Sequence, residues 1–256
     1  MSFRRMLILW VLLPCFLVGC GSSQPIERLR RSLESYPEYS IVLQDMYSQG
    51  LFFQDYFHRY RLIYLPATQQ TQKDGTPNLQ QALTDWIRVD QSTFEHFKPY
   101  LGMVILSKEK DGTINDVPHP VDFKYVGDSR FGQWKTDDQG KRSWSWLATA
   151  LILSEVVDAI GDAQRKGHYP IDYGDYQDYR RSTQQRTPYY GKKNEAGRPQ
   201  FGTQGTVTQE RNTGFFERQQ ARMADRKATF SQKVESRMGR TRVSGFTPRS
   251  SSRLKR

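Results

Sequence analysis

Tyr100-Leu101-Gly102-Met103-Val104-Ile105-Leu106-Ser107 is the stretch on which the reading of the fold turns. Its centre is a compact apolar run, Met103 to Leu106, and Lys110-Asp111-Gly112 then turns the chain. A short apolar run bounded by a turn signal reads as a well-buried strand. Such a strand needs neighbours. Phe52 to Leu65, rich in aromatic and branched residues, supplies one. There Phe57, Arg59, Arg61, Ile63 and Leu65 alternate with His58, Tyr60, Leu62 and Tyr64, so polar and apolar residues occur on both faces. Val121–Val126 and Phe131–Lys135 read as further strands. Gly127-Asp128 and Asp137-Asp138-Gln139-Gly140 are the turns between them.

Helices are expected around these strands. Pro25–Leu33 is a short one, placed to act as a stalk, and Tyr39–Ser48 is a second, ending before Gly50. Leu79–Val89 reads as a short helix containing Trp86, and Asp90 or Ser92 caps another through Phe97. The clearest starts near Ser145 or Thr149 and ends near Gly161, with Leu147, Leu151, Ile152, Val156, Val157 and Ile160 as its apolar stripe. The expected fold is α+β: a small, mostly antiparallel sheet with one main packing helix, followed by a long, disordered basic tail.

Charge sets the expected boundaries. Residues 1–166 carry 19 Lys/Arg and 19 Asp/Glu, whereas residues 167–256 carry 19 and 8, so the whole net charge of +11 sits in the last third. Such a step marks the passage from a folded body to a solvated arm. The reading therefore divides the chain into an α+β domain at 35–166, a Tyr-rich connector at 167–190 and a basic, mostly disordered tail at 191–256. In the tail, Gly202-Thr203-Gln204-Gly205-Thr206 and Arg249-Ser250-Ser251-Ser252-Arg253 offer little apolar surface to offset chain entropy. No period of 20 to 50 residues repeats, which argues against a solenoid.

The amino terminus has its own logic. Arg4 and Arg5 precede an apolar stretch from Met6 to Val18. Crossing a bilayer takes about 20 apolar residues; this run is shorter and contains Pro14. It has the layout of a secretory signal. Leu17-Val18-Gly19-Cys20 resembles the lipobox of bacterial lipoproteins. That resemblance implies removal of residues 1–19, acylation of Cys20 and a lipidated linker over residues 20–34. Each buried methylene of the lipid would add about 0.8 kcal/mol to membrane binding. The implied location is the bacterial cell envelope. Gly21 follows Cys20 in place of the retaining Asp of inner-membrane lipoproteins, which favours the outer membrane in a two-membrane host. Cys15 leaves with the signal and Cys20 is consumed by lipid, so no thiol remains for a disulfide, a metal or nucleophilic catalysis.

A second resemblance covers most of the mature chain. Tyr125-Val126-Gly127-Asp128-Ser129-Arg130-Phe131-Gly132-Gln133-Trp134-Lys135-Thr136-Asp137 is similar to a motif in a group of bacterial lipoproteins without an assigned activity. Those proteins also carry an aromatic helix and an Arg/Ser-rich tail with a Phe-Phe pair, as at Phe215-Phe216. The resemblance implies organisation and no chemistry.

The residues themselves point away from catalysis. There is no P-loop, Gly-x-Ser-x-Gly elbow, His-Glu-x-x-His or dinucleotide fingerprint. His58, His96, His119 and His168 are scattered, without metal-ligand spacing. His168, Asp172, Asp175 and Asp178 are dense enough to attract a hard cation, but lack calcium-loop spacing. A solvated acidic stretch facing the basic tail is the simpler account. Trp134, Trp144 and Trp146 are either a sugar-stacking face or ordinary packing. No enzyme activity, metal or cofactor is expected.

The tail carries the remaining signal. Phe216, Met223 and Phe230 recur every seven residues, with Arg218, Arg222, Arg226, Lys227 and Lys233 between them. As a helix, this is a narrow apolar stripe for insertion, flanked by cations for an anionic surface. As a disordered arm, it is purely electrostatic. Anionic lipid, cell-wall polymer or an acidic protein are the expected partners, alongside a membrane held through the N-terminal lipid. Export argues against nucleic acid. The sequence therefore suggests a non-enzymatic envelope lipoprotein with a basic contact arm. The alternative is a glycan- or small-molecule-binding subunit that uses the sheet between Tyr100 and Trp146.

Overall fold

A computed structural model of the protein describes residues 25–50, 54–66, 77–147 and 171–241. Strands β1 (Tyr39–Gln49), β2 (Asp55–Tyr64), β3 (Gln80–Leu83), β4 (Ile87–Val89), β5 (Met103–Lys108), β6 (Ile114–Asn115) and β7 (His119–Pro120) form one sheet. Its main path runs β3-β2-β1-β5-β6, while β4 extends along β2 and β7 along β5. Strands β8 (Gly132–Thr136) and β9 (Arg142–Trp146) make a separate hairpin. All these pairings are antiparallel. Helices α1 (Pro25–Ser32), α2 (Gln91–Phe97), α3 (Tyr173–Gln184), α4 (Thr206–Arg211) and α5 (Thr213–Thr241) complete the α+β fold.

The strand expected from Met103-Val104-Ile105-Leu106 is β5, and the one expected from residues 52–65 is β2. Between them lies β1, where a helix was expected over Tyr39–Ser48. Tyr39, Ile41 and Leu43 enter one core cluster and Val42 enters another, so β1 is buried on both faces. That produces a continuous apolar run, which periodicity alone does not separate from a buried helix. Neighbours decide it: Val42 is flanked by Arg61 of β2 and Val104 of β5. A register shift between Leu43 and Asp45 then bends the strand and returns Met46 to the Leu43 cluster.

Two other expectations are corrected. Leu79–Val89 is β3 and β4, which both pair with β2. At the step between them, Thr84 N donates to Tyr60 O at 2.9 Å and Thr84 Oγ1 accepts from Tyr60 N at 3.0 Å, so the ladder is bridged. Val121–Tyr125 is a 3₁₀ turn rather than a strand. Pro118 and Pro120 precede it, and its three-residue period places Phe123 and Val126 in one cluster and Tyr125 in another. Asp90 caps α2 as expected, accepting from Thr93 N at 2.7 Å. Phe131–Lys135 matches β8. Ser145 lies inside β9, and the rest of the expected main helix, residues 149–161, falls outside the described residues.

The core does not stop at Lys166. Ile171, Tyr179, Tyr189 and Phe201 share a cluster with Met103, Phe123, Val126 and Trp144. Phe215 lies among Leu43, Met46 and Leu101. The Tyr-rich connector and the expected tail as far as Phe216 therefore contribute to the folded body. Their apolar residues are few, but most of them are aromatic, and each aromatic ring covers a large area. The helix expected as a stalk is also docked, with Ile26 and Leu33 buried in the cluster that holds Phe215.

Candidate functional site

The site lies where the basic helix leaves the body. Helix α4 stops at Asn212, whose φ and ψ of −117° and 44° break the helical path. Asn212 N donates to Thr208 O at 2.9 Å, and Asn212 O accepts from Phe215 N at 3.0 Å, so one residue closes α4 and opens α5. Phe215 is 6% exposed, and Phe216 packs edge-on against it with ring centroids 4.9 Å apart.

Two arginines fasten the next turns. Arg218 is ion-paired with Asp45 on the bulge of β1. Arg222 Nη1 donates to Ser48 O at 2.8 Å, and its guanidinium lies 5.2 Å from the centre of the Tyr47 ring. Tyr47 stacks on Phe57 and meets Trp86 edge-on, while Arg59 sits 5.8 Å from the Trp86 ring centre. The helix root thus rests on an aromatic and arginine cluster built from β1, β2 and the step between β3 and β4. At the end of α4 is a cavity of about 40 Å³ lined by Gln44, Arg61, Gly102, Asp122, Thr208 and Asn212. That volume has room for a few ordered waters. Burial holds the Arg61 guanidinium down to about 10, opposed by the charge of Asp122.

Past Arg222 the helix continues to Thr241. Met223 is 61% exposed and Phe230 is 69% exposed. Lys227 and Lys233 are exposed as well, and Arg226 takes its place on the helix. The candidate residues therefore divide. Phe216, Arg218 and Arg222 bind the body, while Met223, Phe230, Lys227 and Lys233 face outward. Sequence reading treated the five cations as one set, because helical spacing does not reveal a carboxylate 173 residues away.

The other candidates have structural partners. Asp172 caps α3, accepting from Asp175 N at 2.9 Å. Lys192 Nζ lies 2.5 Å from Asp172 and 3.1 Å from Asp175, filling the position that a hard cation would take. Burial raises the Asp175 carboxyl above its usual range. Asp178 pairs with Arg181, and His168 lies outside the described residues. Among the described residues, no group of three or more His, Cys, Asp or Glu is placed to hold a metal. Trp144 is buried, with Trp134 and Trp146 packed edge-on against it, so these rings join the hairpin to α3.

His58 and His119 are buried, and desolvation lowers each to about 4. His58 Nδ1 meets Tyr60 OH at 2.9 Å, while His119 Nδ1 donates to Val117 O at 2.8 Å. Sequence reading missed Lys124, whose ammonium donates to Tyr39 O at 2.7 Å and Lys108 O at 2.8 Å. The quoted Asp128-Ser129-Arg130 motif also acquires a role. Arg130 reaches Asp128 at 2.6 Å and the buried Glu38 at 2.8 Å, clamping the turn to the start of β1.

The chain matches no protein-family model, no curated protein and no solved structure. Among the described residues, no helix is long and apolar enough to cross a membrane.

Proposed function

We propose that the protein is a non-enzymatic lipoprotein of the bacterial cell envelope, held to a membrane by lipid on Cys20 and contacting an anionic surface through α5. One observation supports the contact: α5 is fixed at its root by Phe215, Arg218 and Arg222, yet presents Met223, Lys227, Phe230 and Lys233 outward. A cationic helix with exposed apolar residues lies on anionic bilayers, inserting its apolar side while each cation contributes on the order of 1 kcal/mol near the surface. Fixing the root removes part of the entropy that a free arm loses on binding.

Flotation of the full chain with vesicles containing phosphatidylglycerol is the test. The chain from Gly21 onward, with neither signal nor lipid, isolates the contribution of the helix. Binding that falls with rising salt, and falls further in Met223→Ser/Phe230→Ser, is the expected result. A Cys20→Ser protein that is cleaved and retained normally contradicts the lipid anchor. Indifference to anionic vesicles at low salt contradicts surface contact, and points to an acidic protein or cell-wall polymer.

A further inference from the structure

The connection from Gln185 to Gly205 between α3 and α4 contains neither helix nor a named strand. Loops longer than about 12–15 residues without regular structure are uncommon in compact domains, and are usually either functional or disordered linkers. This one is firmly built. Tyr189 N donates to Pro118 O at 3.0 Å, Phe201 N to Tyr190 O at 3.0 Å and Thr203 N to Pro99 O at 3.0 Å. Gly191 and Gly202 have φ of 75° and 80°. A Cβ at Gly191 would lie 2.8 Å from the Phe201 ring, and one at Gly202 would lie 2.7 Å from Pro99 O and 2.9 Å from the Tyr190 ring. Only glycine lets the chain pass this close to those groups.

The result is a groove of about 600 Å³ against the turn at Lys98–Tyr100. Pro99, Pro188, Pro199, Tyr190 and Phe201 give it an apolar wall, and Lys98 and Lys193 are the charged residues of its lining, with no acid among them. Lys98 is paired with Glu95 at 2.9 Å, whereas Lys193 is exposed and has no ion pair among the described residues. A preformed apolar groove of this size with a few polar groups has the character of a small-molecule site.

We infer that this groove binds a soluble amphipathic carboxylate, its aliphatic or aromatic body on the proline and tyrosine wall and its carboxylate on Lys193. A polypeptide would bring backbone N–H and C=O groups that need partners. The three prolines offer no N–H, and the N–H groups of Tyr189, Phe201 and Thr203 are already spent within the fold. The inference is independent of the lipid anchor and the basic helix.

Octanoate titrated into the full chain, followed by saturation-transfer NMR, is the test, with octanol and octylamine as probes of the same chain length. Octanoate is expected to bind more tightly than either. Lys193→Gln should weaken it roughly fivefold, in line with loss of one charge-assisted hydrogen bond at a partly open site. Lys193→Arg should retain binding, and Gln204→Glu should oppose it. Because Lys193 and Gln204 are exposed, these variants leave the core intact. Equal binding of all three probes, or no effect of Lys193→Gln, overturns the proposal. So does an acidic proline-rich peptide that binds where octanoate does not.

Discussion

Arg222 Nη1 lies 2.8 Å from Ser48 O, joining α5 to the end of β1 across 174 positions of sequence. The same guanidinium covers the Tyr47 ring, so one side chain supplies both a directed bond and a stacking contact. This contact, the Arg218–Asp45 pair and buried Phe215 set where the basic helix starts and which way it leaves.

The three contacts should be unequal. Phe215→Ala leaves a cavity in the core and is expected to cost roughly 3–5 kcal/mol. Arg222→Ala loses a partly exposed hydrogen bond and a cation–π contact, about 1 kcal/mol together. Chemical denaturation measures both losses. Hydrogen exchange in Arg222→Ala should quicken around residues 216–222 and leave β5 unchanged. Similar losses for the two variants would mean that Phe215 is not the anchor.

Ending the chain at Lys166 should destroy the fold. That cut removes Ile171, Tyr179, Tyr189 and Phe201, and uncovers Met103, Phe123, Val126 and Trp144 in the same cluster. Limited proteolysis of the whole protein should instead leave a core that continues to about Arg222, detected by mass spectrometry. A cooperatively folding 25–166 fragment would show that the later segments are accessory.

Acid should weaken the fold in a defined window. His58 and His119 are neutral inside it, each held at about 4 against roughly 6.5 in the unfolded chain. The unfolded chain therefore binds more protons between those values. The stability from their burial is full above about pH 6.5 and is lost as pH falls toward 4, on the order of 3 kcal/mol per histidine. Glu27, held at about 2 by Arg30 and Arg31, titrates lower down. Denaturation midpoints at pH 7.5 and 5 report the histidine part, and His58→Phe should reduce the difference. Equal midpoints at the two values would contradict burial of neutral histidines.

Reading residues in order recovered what local chemistry controls. Met103-Val104-Ile105-Leu106 gave β5, Asp90, one of the two candidate caps, is the cap of α2, and the Asp137 turn fell between β8 and β9. It misplaced Tyr39–Ser48 and Leu79–Val89, where partners on β2 and β5 decide the state. It also separated the candidate cations from the acid and carbonyl that two of them bind, and saw none of the groove between Lys98 and Gln204.

What the sequence by itself determined is the antiparallel α+β character, the one-sided distribution of charge and the heptad spacing of Phe216, Met223 and Phe230. These depend on residue type and interval, which act over a few positions. The tertiary structure alone decided how far the body extends and which part of the basic helix is available for contact. Scattered aromatics such as Tyr179, Tyr189, Phe201 and Phe215 have no local period, and their burial is set by distant surfaces that complete a cluster around them.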